Sequence, residues 1–198
     1  MNYLAHAYLS FQHPEILVGN LISDFVKGKK KLEYSPGIQK GIALHRSIDA
    51  FTDQHEATRE GKKIFKPAYG LYSAAFMDVV YDHFLACDKN EFTEQSLFEF
   101  SQWVYVTAEP FAEQFPGLFA KMFPYMKLQN WLYNYHTRWG TEKSFGGLVR
   151  RALYMTESET AFRLFEEHYN SLQHCYNLFF ADVKQMAKNT FDALVNEP

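Results

Sequence analysis

An all-α, single-domain fold is predicted by three observations. Apolar residues recur at steps of three and four along much of the chain. Alternating apolar-polar runs bounded by hairpin turns are hard to find. Within 198 residues there is no low-complexity linker that would separate two halves. Aromatic residues make up 18% of the chain, chiefly 19 Phe and 13 Tyr, so bulky helix-helix contacts and a thick core are expected.

The elements follow in order. Pro14 suits the first turn of a helix running to about Val26, with Gly28 as its stop. Ser35-Pro36-Gly37 forms a turn, and a helix follows from about Ile38 to Phe51 or beyond. Lys66-Pro67 through Gly70 breaks the chain, and Tyr72 to Leu85 reads as a buried helix. Thr93-Glu94-Gln95 starts another, ending near Pro110 or Pro116. Between 116 and 147, Pro116-Gly117, Pro124, Gly140 and Gly146-Gly147 predict short, interrupted helices. Phe162, Phe165, Tyr169, Leu172, Tyr176, Phe179, Val183 and Met186 predict one long helix with a single buried stripe. Thr156 with Glu159 offers a capping box for its start, and His168 and His174 flank the stripe at the surface.

A net charge of −3 gives no global case for nucleic acid or an anionic membrane as partner. The charge is unevenly spread, however. Residues 27 to 66 hold ten basic and five acidic residues, a net of +5, which leaves about −8 elsewhere. Such a stretch is either a basic face for an acidic partner or phosphorylated substrate, or a solvated lysine-rich loop. Cys87 and Cys175 lack metal-type spacing and read as core residues or incidental thiols of a reducing compartment. The opening residues have no basic, apolar leader pattern, and no run approaches the ~20 apolar residues of a membrane helix. A cytoplasmic location, with no membrane partner, is expected.

The chemistry concentrates in the first eighty-odd residues. His45, Asp49 and Asp53 are spaced by four, so on a helix they fall within a sector of ~80°. Asp78 and Asp82 share the same step. Two such helices facing each other would offer a divalent cation mixed imidazole and carboxylate ligands, a set suited to Mn, Fe, Zn or Mg. Asp78, Asp82 and His83 sit among Phe76, Met77, Val79, Val80, Tyr81, Phe84 and Leu85. Carboxylates buried there need a basic partner, such as Arg46 or Arg59, or a metal. Asp24 follows Leu21 and Ile22 on an inward-facing turn, and Gly19-Asn20 allows close backbone approach. His6, between Leu4-Ala5 and Ala7, is either a satisfied core histidine or a ligand.

These segments together resemble the bacterial acyl carrier protein phosphodiesterases. The matching blocks are Met1-Asn2-Tyr3-Leu4-Ala5-His6, then Gly19-Asn20 to Asp24-Phe25-Val26-Lys27-Gly28. His45-Arg46 with Ile48-Asp49 and Thr52-Asp53 follows, then Asp78 with Asp82-His83-Phe84, and more weakly His168-Tyr169. The resemblance implies a divergent relative of the HD-domain phosphohydrolases, an all-helical bundle using a divalent metal, typically Mn2+, with Mg2+ or Fe2+ as alternatives. It further implies hydrolysis of the diester joining 4′-phosphopantetheine to a serine of holo-acyl carrier protein. The usual His-Asp doublet runs here as Asp82-His83, residues 110 to 150 match no pattern, and Lys29-Lys30-Lys31 is not a family feature.

On this reading water attacks phosphorus with metal assistance. His45, Asp49, Asp82 and His83 are expected nearest the metal, with Asp24 as a further ligand or the base that orients the water. Asp78 and His6 follow, as ligands or as groups that fix histidine tautomers. Arg46 or Lys27 would offset phosphoryl charge, and the acidic carrier protein would dock on the basic face. Three rivals share these residues: a phosphohydrolase of a small nucleotide, a non-catalytic helical protein binding a metal or apolar ligand, and a scaffold whose buried charges are only salt bridges.

Overall fold

The computed structural model describes residues 1–196, which are helical with no strand among them. Eleven α-helices are present among these residues. They are α1 (Tyr3–Tyr8), α2 (Pro14–Ile22), α3 (Pro36–Gln54), α4 (Glu56–Tyr69), α5 (Ser73–Cys87) and α6 (Glu94–Ala108), then α7 (Gly117–Leu128), α8 (Trp131–Asn134), α9 (Arg138–Arg151), α10 (Glu159–Glu167) and α11 (Tyr169–Asn196). Short 3-10 turns at Ser23–Phe25, Gly28–Glu33, Gly70–Tyr72 and Glu109–Gln114 join some of them. One buried apolar cluster draws side chains from every α-helix.

The starts follow local chemistry. Ser35 Oγ accepts from the Ile38 N–H at the head of α3, and Thr93 and Ser96 form a reciprocal capping box at the head of α6. α2 and α3 pack backbone against backbone because each presents a glycine to the other. A Cβ on Gly19 would lie 2.1 Å from the Ile38 carbonyl oxygen, and one on Gly41 2.3 Å from that of Ile16. This contact sets Asn20 beside His45. The α11 stripe is buried at Leu172, Tyr176, Phe179 and Val183, and Phe179 stacks on Tyr81 of α5 at 4.5 Å. His168 and His174 are exposed, as expected.

Several boundaries differ from expectation. The long C-terminal helix is broken at His168. The part before the break packs on α4 and α9, while the part after it runs along α3, α4 and α5, so the stripe changes direction. Thr156 does not cap this region; Ser158 stands at the N-cap, and the side chain of Glu157 accepts from the Thr160 N–H. α4 continues through Pro67 to Tyr69 and is ended by Gly70 in left-handed backbone, φ 55°. Pro124 lies inside α7, and Gly140, Gly146 and Gly147 lie inside α9. A helical glycine costs only about 1 kcal/mol, which the burial of Phe145 on the same helix outweighs. Gly140 is also needed for packing, since a Cβ there would strike the Asn134 carbonyl at 1.9 Å.

Candidate metal centre

The centre forms where α1, α2 and α3 meet. His6 from α1 and His45 from α3 stack face to face, and Asp49, one turn beyond His45, reaches both. Asp49 Oδ1 is 3.2 Å from His6 Nε2, and its Oδ2 is 3.0 Å from His45 Nε2. Asp24, in the 3-10 turn after α2, brings Oδ1 to 3.2 Å from His45 Nε2. Both histidines are buried, whereas Asp24 opens to solvent.

Asn20 orients both rings. Its Nδ2 donates to Ser10 Oγ at 3.0 Å, and the Ser10 hydroxyl proton goes to the His6 carbonyl at 2.8 Å. That fixes the amide so that Oδ1 faces His6 Nδ1, 2.9 Å away, while the Asn20 backbone carbonyl faces His45 Nδ1 at 2.8 Å. An amide or carbonyl oxygen can only accept, so both Nδ1 atoms carry the proton. The neutral rings then present Nε2 lone pairs toward carboxylate oxygens. Lone pairs facing one another in a buried site need a proton or a cation between them.

The titration properties express the same competition. Burial and the neighbouring His45 push His6 down to about 4. Burial opposes a charge on His45 too, but Asp24 and Asp49 outweigh it and hold that ring up to about 9. Burial would raise Asp49; the Met1 α-amino group and both imidazoles outweigh it and hold the carboxyl well below the usual range. Asp24 is lowered by its bond to His45. One donor atom from each of His6, His45 and Asp49 lies within 4.8 Å of the others. Two imidazoles and a carboxylate, with the far nitrogens pinned, form a donor set that fits a divalent transition ion.

The profile of the acyl carrier protein phosphodiesterase family matches residues 1–183. The chain belongs to that family. Among its curated relatives, the acyl carrier protein phosphodiesterase of Photorhabdus laumondii is 28% identical over 190 residues, covering 96% of both chains. That of Yersinia pestis is 29% identical and that of Serratia proteamaculans 30%, each covering 96% of this chain and 98% of the relative. No solved structure matches.

In this family member the other expected ligands lie elsewhere. Asp82 is buried with its carboxylate on the start of α1, accepting from the N–H groups of Leu4 (2.7 Å), Asn2 and Ala5 (both 3.2 Å). It satisfies helix-end donors that have no intrahelical partner, and burial still raises it to about 7. His83, the next residue, faces away from the centre. Its Nδ1 meets the Tyr135 carbonyl at 2.8 Å and its Nε2 the Tyr169 hydroxyl at 2.9 Å, so both nitrogens are engaged. The expected Asp82-His83 pair therefore does not come together with His45 and Asp49, whereas His6 does; adjacent residues on a helix point in different directions.

Asp78 reaches the centre indirectly. The Met1 α-amino group lies 3.0 Å from Asp78 Oδ1 and 3.3 Å from Asp49 Oδ1, and these carboxylates outweigh burial to hold it up at about 11. Asp53 is drawn away to Lys62. Neither Arg46 nor Arg59 answers the α5 carboxylates; Arg46 donates to the Val26 carbonyl at 3.1 Å. Lys27 lines a cleft shared with Asp24 and Lys30. Asn20 was not expected to orient ligands. The available signal was an amide inside the apolar run from Ile16 to Ile22, where a buried polar group must be bonded.

Proposed function

We propose that the protein releases 4′-phosphopantetheine from holo-acyl carrier protein, using a divalent ion, Mn2+ by preference with Mg2+ or Fe2+ as substitutes, held by His6, His45 and Asp49. The observation that carries this reading is the convergence of two Nδ1-pinned imidazoles and a carboxylate in a member of the phosphodiesterase family. When bound, such an ion polarises phosphoryl oxygens and makes a water more acidic.

The chain's own residues do the rest. Asn20 holds both rings in the tautomer that leaves Nε2 free to ligate. Asp24, ionised and open to solvent, orients the attacking water and takes its proton. Lys27 and Lys30, in the same cleft, and Arg46, tied to Val26, offset charge developing on the phosphoryl oxygens. The water oxygen bonds to phosphorus, the bond from phosphorus to the serine Oγ breaks, and Oγ takes up a proton. The products are the apo-protein and 4′-phosphopantetheine.

The acidic carrier protein docks on the exposed turn Gly28–Glu33. Its Lys29, Lys30 and Lys31 have no acidic partner within 4 Å among the described residues, and it adjoins the Asp24 cleft. Such docking weakens with salt. The reading places the protein in the cytoplasm with its substrate; among the described residues no helix is long and apolar enough to cross a membrane.

The test is conversion of holo- to apo-acyl carrier protein followed by mass spectrometry, with and without Mn2+, beside Asp24→Ala. Mn2+-dependent loss of the prosthetic group by the unaltered protein, and not by the variant, is expected. An intact prosthetic group after incubation with folded, Mn2+-loaded protein would overturn the reading, and turnover of a nucleotide panel instead would move the substrate to that class.

A further inference from the structure

A cavity of about 430 Å3 opens beside the start of α1, and its volume lies in the range of small-ligand sites. Its walls come from Asn2 and Tyr3 on one side, from Trp131 of α8, and from Trp139 and Gly147 of α9 on the other. Three amide side chains, Asn2, Gln129 and Asn134, line it, together with Lys143, Arg150 and Arg151; no acidic side chain does. Indole walls, scattered amides and an excess of cations fit an elongated ligand with an apolar body, internal amides and an anionic end.

Two residues of the cavity wall, Asn2 and Tyr3, make contacts that lead toward the metal centre. Asn2 lines it while its own N–H bonds Asp82, and the preceding α-amino group touches Asp49. The Tyr3 hydroxyl and the Arg151 guanidinium both donate to Met122 Sδ, at 3.9 and 3.4 Å, so the cavity's cation and the Tyr3 phenol meet at one point. From Tyr3 an aromatic path runs to Phe119 (6.3 Å) and on to Phe25 (5.6 Å), the residue after Asp24. Tyr3 thus lines the cavity on one side and reaches, through Phe119, the segment that carries Asp24.

We propose that this cavity receives the pantetheine arm of the substrate, laid between Tyr3 and the Trp131–Trp139 wall, an inference that rests on the carrier-protein reading above. The arm has the matching chemistry: a phosphate at one end, two amides, and a branched apolar stretch between. The carrier protein on the Gly28–Glu33 turn and the arm in the cavity would then lie on either side of the scissile bond. α9 is therefore the substrate wall, although it contributes no group to the centre.

Gly147 provides the test. A Cβ there would meet only the Arg150 guanidinium, at 3.7 Å, so Gly147→Leu keeps the helix and fills the cavity. Trp139→Ala, at a side chain 55% exposed, removes one wall with little cost to the core. Titration of the unaltered protein with free 4′-phosphopantetheine should quench the tryptophan fluorescence, and Gly147→Leu should abolish that quench. Both variants should raise KM for holo-acyl carrier protein at least roughly ten-fold, with Mn2+ affinity by calorimetry unchanged. No quench in the unaltered protein, or KM values within about two-fold of it in both variants, overturns the proposal. Loss of Mn2+ affinity in step with turnover overturns it too, because the substitutions would then act through the centre. Failure of the phosphodiesterase reading is separate: it is read from the unaltered protein alone, which would then leave the prosthetic group in place.

Discussion

The imidazoles of His6 and His45 stack with centroids 3.9 Å apart and planes 12° from parallel, each pinned at Nδ1 by an oxygen of Asn20. Two adjacent imidazolium rings would repel each other, so the stack favours at least one neutral ring, and in the neutral form Nε2 is the ligating atom. The amide of Asn20 therefore selects which nitrogen of His6 is available, and Asn20→Ala removes that selection. The expected result is a drop in Mn2+ affinity of about 10- to 100-fold by calorimetry. KM for the carrier protein, measured at saturating Mn2+, should barely move. The His45 Nδ1 bond, made to backbone, should persist in the imidazole NMR signals.

Without metal, the two rings give opposite pH dependences. His45 is raised from 6.5 to about 9, so its contribution to stability is complete below 6.5 and is lost as pH rises through about 9. His6 is lowered from 6.5 to about 4, so its contribution is present above 6.5 and is lost as pH falls through about 4. Melting of the metal-free protein should therefore be highest near pH 6.5 and fall on either side. In Asp24→Asn the alkaline decline should be smaller and end at lower pH, because one of the carboxylates holding the His45 proton is gone. A melting temperature that climbs steadily from pH 6.5 to 9 would contradict this account.

The Asp82 carboxylate caps the start of α1. Asp82→Ala leaves three N–H groups without this acceptor, those of Leu4 and Ala5 buried and each costing about 1–3 kcal/mol, so chemical denaturation should show a loss of several kcal/mol. Asp82→Asn retains one acceptor oxygen and should lose less. Its Mn2+ stoichiometry should match that of the unaltered protein, the result that separates a capping role from ligation.

The α2–α3 glycine contact is the mechanical basis of the site. Gly41→Ala drives a methyl to 2.3 Å from the Ile16 carbonyl, so the helices must part, and with them Asn20 and His45. A stability loss of about 2 kcal/mol or more is expected, together with weaker Mn2+ binding. Stability lost at unchanged metal affinity would show that the centre does not depend on this approach.

Docking makes a separate demand. Replacing Lys29, Lys30 and Lys31 by Ala should raise KM for the carrier protein and flatten its salt dependence, while leaving melting temperature nearly unchanged, since all three are exposed.

Helical periodicity, the Gly19-Asn20 approach and the four-residue step from His45 to Asp49 were all legible in the chain, because each is local: period and spacing alone place residues on one face of a helix. Family membership was legible for a related reason, since four blocks in order carry far more information than any one of them. The ligand set was not. The spacing favours Asp82 and His83 over His6 as ligands, and only the packing of α1 against α5 decided that Asp82 caps a helix while His6 faces Asp49. The continuation of α9 through Gly140, Gly146 and Gly147 was likewise hidden, because a glycine's weak helix propensity is overridden by packing that propensity does not encode. The sequence by itself determined which residues could bear charge on a shared face; the tertiary structure decided which partner answered each charge, because the cost of burying a carboxylate or an imidazole depends on what lies within about 3 Å of it.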